Sequence, residues 1–254
     1  MRSADSELLN NRRRGLLVVA ATVMPVALLF GAIGLLAGVV VAVVILVVVA
    51  GAGGTALWAT ADRRAVAGIG GVPADPRVHA RLYNLVDGLC AAAGVAPPRL
   101  LVVDDAALNA VAVGRDPRRA TLAVTTGLLR DLSRIELEAV LANELVRIKR
   151  RSTLPGTLAA GAGPLARRIA QRSEREEAVD MAAVALTRYP PGLASAFEKM
   201  ASVGTALARP ALTVAGLWLA EPIGAARAGH AGGGRGTAGE RRPLPERVAA
   251  LREL

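Results

Sequence analysis

The sequence predicts a mainly α-helical protein with a small β-sheet, set on an N-terminal transmembrane helical hairpin. Three observations carry this. No Asp, Glu, Lys, Arg or His occurs between Gly15 and Ala61. Several later segments repeat apolar residues at helical spacing. Three short runs rich in Val, Leu and Ala, separated by turn residues, lie between residues 99 and 125.

The charge-free run is about 47 residues long. A single helix of that length would extend for about 70 Å, whereas a bilayer core is crossed by roughly 20 residues. Two crossings with a tight turn fit. Gly31, Gly34 and Gly38 mark the turn, giving spans of Gly15–Gly34 and Leu36–Trp58. A cleaved secretory signal fits poorly, because its apolar region would be much shorter. Arg12, Arg13 and Arg14 precede the first span, and Arg63 and Arg64 follow the second. Positive charge at both ends places both in the cytoplasm. The expectation is a multi-pass protein of the cell membrane with its soluble domain cytoplasmic.

The organisation read along the chain is a basic segment over 1–14, the hairpin over 15–61, a linker over 62–75, a folded domain over 76–223, and a Gly-rich linker with a terminal helix over 224–254. Asp75-Pro76 caps a helix that ends near Gly94, with Val78, Leu82, Leu85, Val86 and Leu89 as its apolar face. Arg99–Val103, Ala110–Gly114 and Ala120–Thr125 read as strands, the last two joined across Gly114-Arg115-Asp116-Pro117. Ser133-x-x-Glu136 is a capping box and opens a helix to about Lys149. Ser173-x-x-Glu176 repeats the pattern ahead of a helix to about Thr187. A further helix covers Pro191–Leu207, and Pro243–Leu254 is a short terminal one. Leu154–Ala170 is mildly apolar and broken by Pro155 and Pro164, so the sequence leaves open whether it enters the membrane.

Lys and Arg outnumber Asp and Glu by 31 to 21, for a net charge of +10. Such a balance suits nucleic acid or an anionic membrane surface. Aromatics are only 2% of the chain and no recognition motif is present, so no nucleic-acid partner is expected. The lipid bilayer is. Cys90 is the only cysteine and falls on the apolar side of its helix, which excludes an internal disulfide and points to a core role.

Several segments together resemble the HtpX-type membrane zinc metallopeptidases of metallopeptidase family 48, a gluzincin group. They are Leu108–Pro117, Ala123–Leu129, the helix Glu136-Leu137-Glu138-Ala139-Val140-Leu141-Ala142-Asn143-Glu144-Leu145, and Arg175-Glu176-Glu177-Ala178-Val179-Asp180. The hairpin, Leu186–Pro190 and Pro243-Leu244-Pro245-Glu246-Arg247 agree with it. The resemblance spans nearly the whole chain and implies a zincin-like minimal domain. In that family the central helix carries H-E-x-x-H. Its two histidines bind zinc and its Glu activates a zinc-bound water, while a later Glu is the third protein ligand.

Carried onto this sequence, the resemblance puts Asn143 and Arg147 at the histidine positions and Glu144 at the base position. Glu176 falls at the third ligand, and Asp180 at a supporting acid. An amide oxygen is a poor zinc donor and a guanidinium has no lone pair. His79 and His230 lie elsewhere in the sequence. The expectation is therefore no bound metal and an idle Glu144, in a pseudoprotease that acts by binding. Arg147 would stand in for zinc by pairing with Glu176 and Glu144. Extended membrane or unfolded polypeptides would be received by strand addition along Ala120–Thr125 or Ala110–Gly114. The alternative is an active zinc endopeptidase of membrane-protein quality control with atypical ligands. From the residues alone, Glu144 reads equally as a solvated or ion-paired side chain. Glu176 reads as the acid of its capping box, and Arg147 as one of several exposed basic residues.

Overall fold

The computed structural model describes residues 2–160, 162–171, 176–223 and 242–254. Helix α1 (Arg2–Gly34) and helix α2 (Val39–Ile69) form an antiparallel pair joined by one 3-10 turn, Leu35–Ala37. Gly38 closes that turn at φ +114°, a conformation that L side chains rarely adopt. Both helices are long and apolar enough to cross a membrane. Leu28, Leu29, Val40, Val43, Val44, Val47 and Val48 are exposed along them. So large an apolar surface marks contact with lipid or protein.

The folded domain follows as β1 (Val72–Pro73), α3 (Ala80–Ala93), β2 (Arg99–Val103), β3 (Ala110–Val113), β4 (Thr121–Thr125), α4 (Thr126–Asp131), α5 (Arg134–Lys149), α6 (Thr153–Ala159), α7 (Pro164–Gln171), α8 (Glu176–Thr187), α9 (Pro190–Val203) and α10 (Leu244–Arg252). The strand order is β1-β2-β4-β3, with β2 and β4 parallel and the other pairs antiparallel. Mainly α with a small sheet on an apolar helix pair is the predicted fold class.

Strand alternation explains how the sheet is buried. Leu100, Val102, Ala110, Ala112, Leu122 and Val124 face one cluster with α3, α5, α8 and α9. Leu101, Val111, Val113 and Ala123 face the other way, onto Ala65 and Ile69 of α2 and onto Val214, Leu217 and Trp218. With both faces covered, the strand interiors are apolar. The predicted capping box is present at the start of α5: the Ser133 hydroxyl accepts from Glu136 N–H, and Glu136 Oε2 accepts from Ser133 N–H. Cys90 is buried, and burial together with the Asp87 charge pushes its thiol up to about 11.

Several boundaries differ from the sequence reading. The predicted linker over 62–75 is mostly helix. The end of α2 runs through it to Ile69, because Ala65 and Ile69, one turn apart, bury against the sheet. The rest includes β1, which pairs with β2. Of the basic segment, residues 2–14 continue into α1 as one helix, which docks on the domain. Asn11 Nδ2 donates to Arg150 O over 3.1 Å, and Glu7 pairs with Arg150 at 3.2 Å. Asp75 caps only a turn, by accepting from Arg77 N–H, so α3 starts at Ala80 and Val78 is 74% exposed rather than in the apolar face. Leu154–Ala170 forms two short helices, α6 and α7. Helix α9 stops at Val203, where Gly204 turns the chain at φ +110°. Ser173 of the second capping box, the stretch 224–241 and His230 lie outside the described residues.

Candidate functional site

Helix α5 carries Asn143 and Arg147 four residues apart on one face, with Glu144 three residues before Arg147. That face is turned inward, toward α8. Glu144 is fully buried and Arg147 is 6% exposed. Arg147 is thus not one of the surface basic residues, and Glu144 is not on a solvated face. Arg147 Nη1 donates to both Glu144 carboxylate oxygens, at 2.9 and 3.1 Å, and to Leu217 O at 2.9 Å.

Asn143 is also fully buried. Its Nδ2 donates to Asp180 Oδ1 over 2.6 Å, while its Oδ1 has no partner among the described residues. Asp180, one turn after Glu176 on α8, is held by Arg247 of α10. Arg247 Nε donates to Asp180 Oδ2 at 2.8 Å and Nη2 to Oδ1 at 2.6 Å. This fork-to-fork pair is the strongest geometry open to a carboxylate and a guanidinium. Arg247 also donates from Nη1 to Leu219 O at 3.3 Å and lies 4.2 Å from the Phe197 ring centroid. Burial acts to lower the Arg247 pKa. The hydrogen bonds and charge of Asp180, then the charge of Glu176, act to raise it, and the net shift is upward.

Asn143, Arg147, Glu176, Val179, Trp218, Leu219 and Arg247 line one cavity of about 20 Å³, room for the centre of a single water molecule. Glu176 is half-buried there, and its Oε2 accepts from Arg242 N–H at 2.9 Å. Two guanidinium groups and three carboxylates, those of Glu144, Glu176 and Asp180, therefore meet between α5, α8 and α10. Asn143, Glu144, Arg147, Glu176 and Asp180 come together at this place. Arg247 was singled out only as part of a similar terminal segment, with no role. Leu217, Trp218 and Leu219 carried no signal, since their part is played by backbone carbonyls and packing.

This donor set does not suit zinc. Both Glu144 oxygens are bound by Arg147, the Asn143 amide nitrogen is turned to Asp180, and Arg147 offers no lone pair. Among the described residues, no three His, Cys, Asp or Glu side chains are grouped as a metal ion would require.

The strands expected to accept a peptide are already occupied. β4 lies between β2 and β3 and has no free edge. The outer edge of β3 is taken by the chain itself: Val111 bridges Trp218, and Leu219 N–H donates to Ala110 O at 2.7 Å. Asn109 secures this arrangement from its buried side chain, donating to Thr205 O and Ala220 O and accepting from Ala220 N–H. Trp218 is only 1% exposed.

The model of peptidase family M48 matches residues 76–207, which is 132 of the 254 residues and includes α3 to α9. The chain belongs to peptidase family M48. Among curated relatives, a "Protease HtpX homolog" of Acidiphilium cryptum is 40% identical over 58% of this chain and 50% of its own length. One from Dictyoglomus thermophilum is 31% identical over 68% of this chain and 69% of its own length. A third, from Thermoanaerobacter pseudethanolicus, is 28% identical over 76% and 78%. The chain thus spans about half the length of the Acidiphilium relative and over two thirds of the other two. Its pair of long apolar helices marks this M48 member as a membrane protein.

Proposed function

We propose that this M48 member has lost its zinc-binding histidines and is a pseudoprotease that acts by binding, anchored by α1 and α2 with its folded domain in the cytoplasm. The observation that carries this is the buried Arg147–Glu144 pair. It places a fixed cation on the helix face where the family needs a second imidazole, and it engages the carboxylate that would otherwise act as general base. In this reading Arg147, between Glu144 and Glu176, takes over the charge of the metal and joins α5 to α8. Such a replacement preserves the helix packing while removing the Lewis acid and its activated water. Arg12, Arg13, Arg63 and Arg64, at the two ends of the helix pair, support the cytoplasmic placement. Polypeptide partners remain part of the proposal, but they are received elsewhere than on β3 or β4.

The test is zinc content per chain, on the full-length protein purified in mild detergent without chelator and dialysed against zinc. The expected value is far below one atom per chain, with no cleavage of an unfolded protein substrate. A value near one, with proteolysis abolished in Glu144→Gln, would instead establish an active zinc endopeptidase with atypical ligands.

A further inference from the structure

The helices α6 and α7 sit at the mouth of the hairpin. Leu154 and Leu158 of α6 lie against Gly15, the first residue of the charge-free run. Val18 near the start of that run and Ala61 at its end share one cluster with Leu154, Leu158, Ala166 and Ala170. Helix α7 therefore belongs to the cluster that joins the two ends of the apolar run. Neither helix can cross a membrane. Their seven and eight residues give lengths of about 10 and 12 Å, against roughly 30 Å for a hydrocarbon core.

The faces of α7 differ in character. Ala166 and Ala170 are buried against the hairpin. Leu165, 58% exposed, and the half-buried Ile169, which packs against the same cluster, stand beside them one turn apart. Arg167 takes the opposite side, and Arg168 lies on the flank, about 60° around the helix from Leu165. Arg167 Nη1 donates to Leu212 O at 3.1 Å. The next residues, Thr213 and Val214, pack over Gly68, which lies beyond Arg63 and Arg64 on α2. Arg167 thus points away from the apolar span. At 3.6 residues per turn, Leu165 and Ile169 are each about 160° around the helix from Arg167, and so point toward the span.

We propose that α7 is an interfacial membrane helix. Leu165 and Ile169 enter the acyl-chain boundary beside α1, while Arg167 and Arg168 stay at the level of the lipid headgroups. The partner is the bilayer itself: the apolar face of α7 continues the lipid-facing surface of α1, Arg167 lies opposite that face, and Arg168 on its flank can reach the headgroups. This rests on the reading of α1 and α2 as membrane spans. It ties the domain to the surface at a second place, beside α1 and α6, and so holds the domain's orientation over the bilayer.

The lone, buried cysteine makes the test direct. In a Cys90→Ala background, single cysteines replace Leu165, Val44 in the exposed apolar part of α2, and Arg252 on α10, and each carries the same fluorophore. The full chain is reconstituted into vesicles of phosphatidylglycerol and acyl-brominated phosphatidylcholine. Quenching is expected to be strongest at position 44. At position 165 it is expected to be at least about twofold greater than at position 252. Quenching at 165 equal to that at 252, with 44 strongly quenched, overturns the interfacial helix but leaves the spans in place. Absence of quenching at 44 overturns the spans, and α7's role with them.

Discussion

Replacing Arg147 by Met removes one partner of a buried ion pair while keeping most of the side-chain volume. Glu144 is fully buried, and both of its oxygens bind Arg147 Nη1. Its carboxylate would lose that cation where water does not reach it, and Leu217 O would lose a donor. Breaking a buried pair on one side typically costs about 3–5 kcal/mol, because the remaining charge is uncompensated. Glu144→Gln removes the carboxylate that Arg147 Nη1 binds and belongs in the same range. The double variant Glu144→Gln/Arg147→Met removes both charges together, so its cost should fall short of the sum of the singles by about 2–3 kcal/mol. Equilibrium urea unfolding of the full chain in mild detergent, followed by tryptophan fluorescence, measures all three. Trp218 lies in the wall of the same cavity and reports on its integrity. A cost under about 1 kcal/mol for Arg147→Met, or strict additivity in the double variant, would refute the pair as a structural replacement for a metal.

The Arg247 fork and the Glu136 cluster give two further tests. Arg247→Lys keeps a cation but loses the paired Nε and Nη2 donors to Asp180, and a loss of roughly 2–3 kcal/mol is expected in the same unfolding assay. A change within about 0.5 kcal/mol would mean that the fork does not hold α10 to α8. Burial acts to raise the Glu136 carboxyl, but hydrogen bonds from Lys199, Ser195 and Ser133 outweigh it and hold the pKa at about 2, from an ordinary 4.5. Because the folded value is the lower one, this contribution is complete above pH 4.5 and fades as the pH falls toward 2. The stability gap between wild type and Lys199→Met should therefore narrow across that interval, and parallel pH profiles would contradict the assignment.

Much of the architecture was legible because it rests on local chemistry. A charge-free run twice the length of one span has few ways to be stable except as two apolar helices. The Ser133–Glu136 capping box marks the start of α5 by hydrogen bonds three residues apart. Short apolar runs and the turn residues between them place β2, β3 and β4 within a residue of their observed limits. Spacing on α5 and α8, together with the family resemblance, brought Asn143, Glu144, Arg147, Glu176 and Asp180 into one expected site, which is where they meet.

Other features depended on partners distant in the chain, and local pattern carries no record of those. Ala65 and Ile69 look like the start of a linker until the sheet they cover is in place. Arg147 among Lys149, Arg150 and Arg151 looks like a surface cation. Only the packing of α8 and residues 217–219 over α5 buries it and forces it onto Glu144. Arg247 reaches Asp180 across 67 positions of sequence. β3 looked like an open edge because nothing in residues 110–114 reveals that Trp218 and Leu219 return to close it. Amino-acid sequence alone determined which segments are apolar, where helices begin and what chemistry each side chain can offer. Tertiary structure decided which charges lose their water, and burial without water is what makes a neutralising partner obligatory.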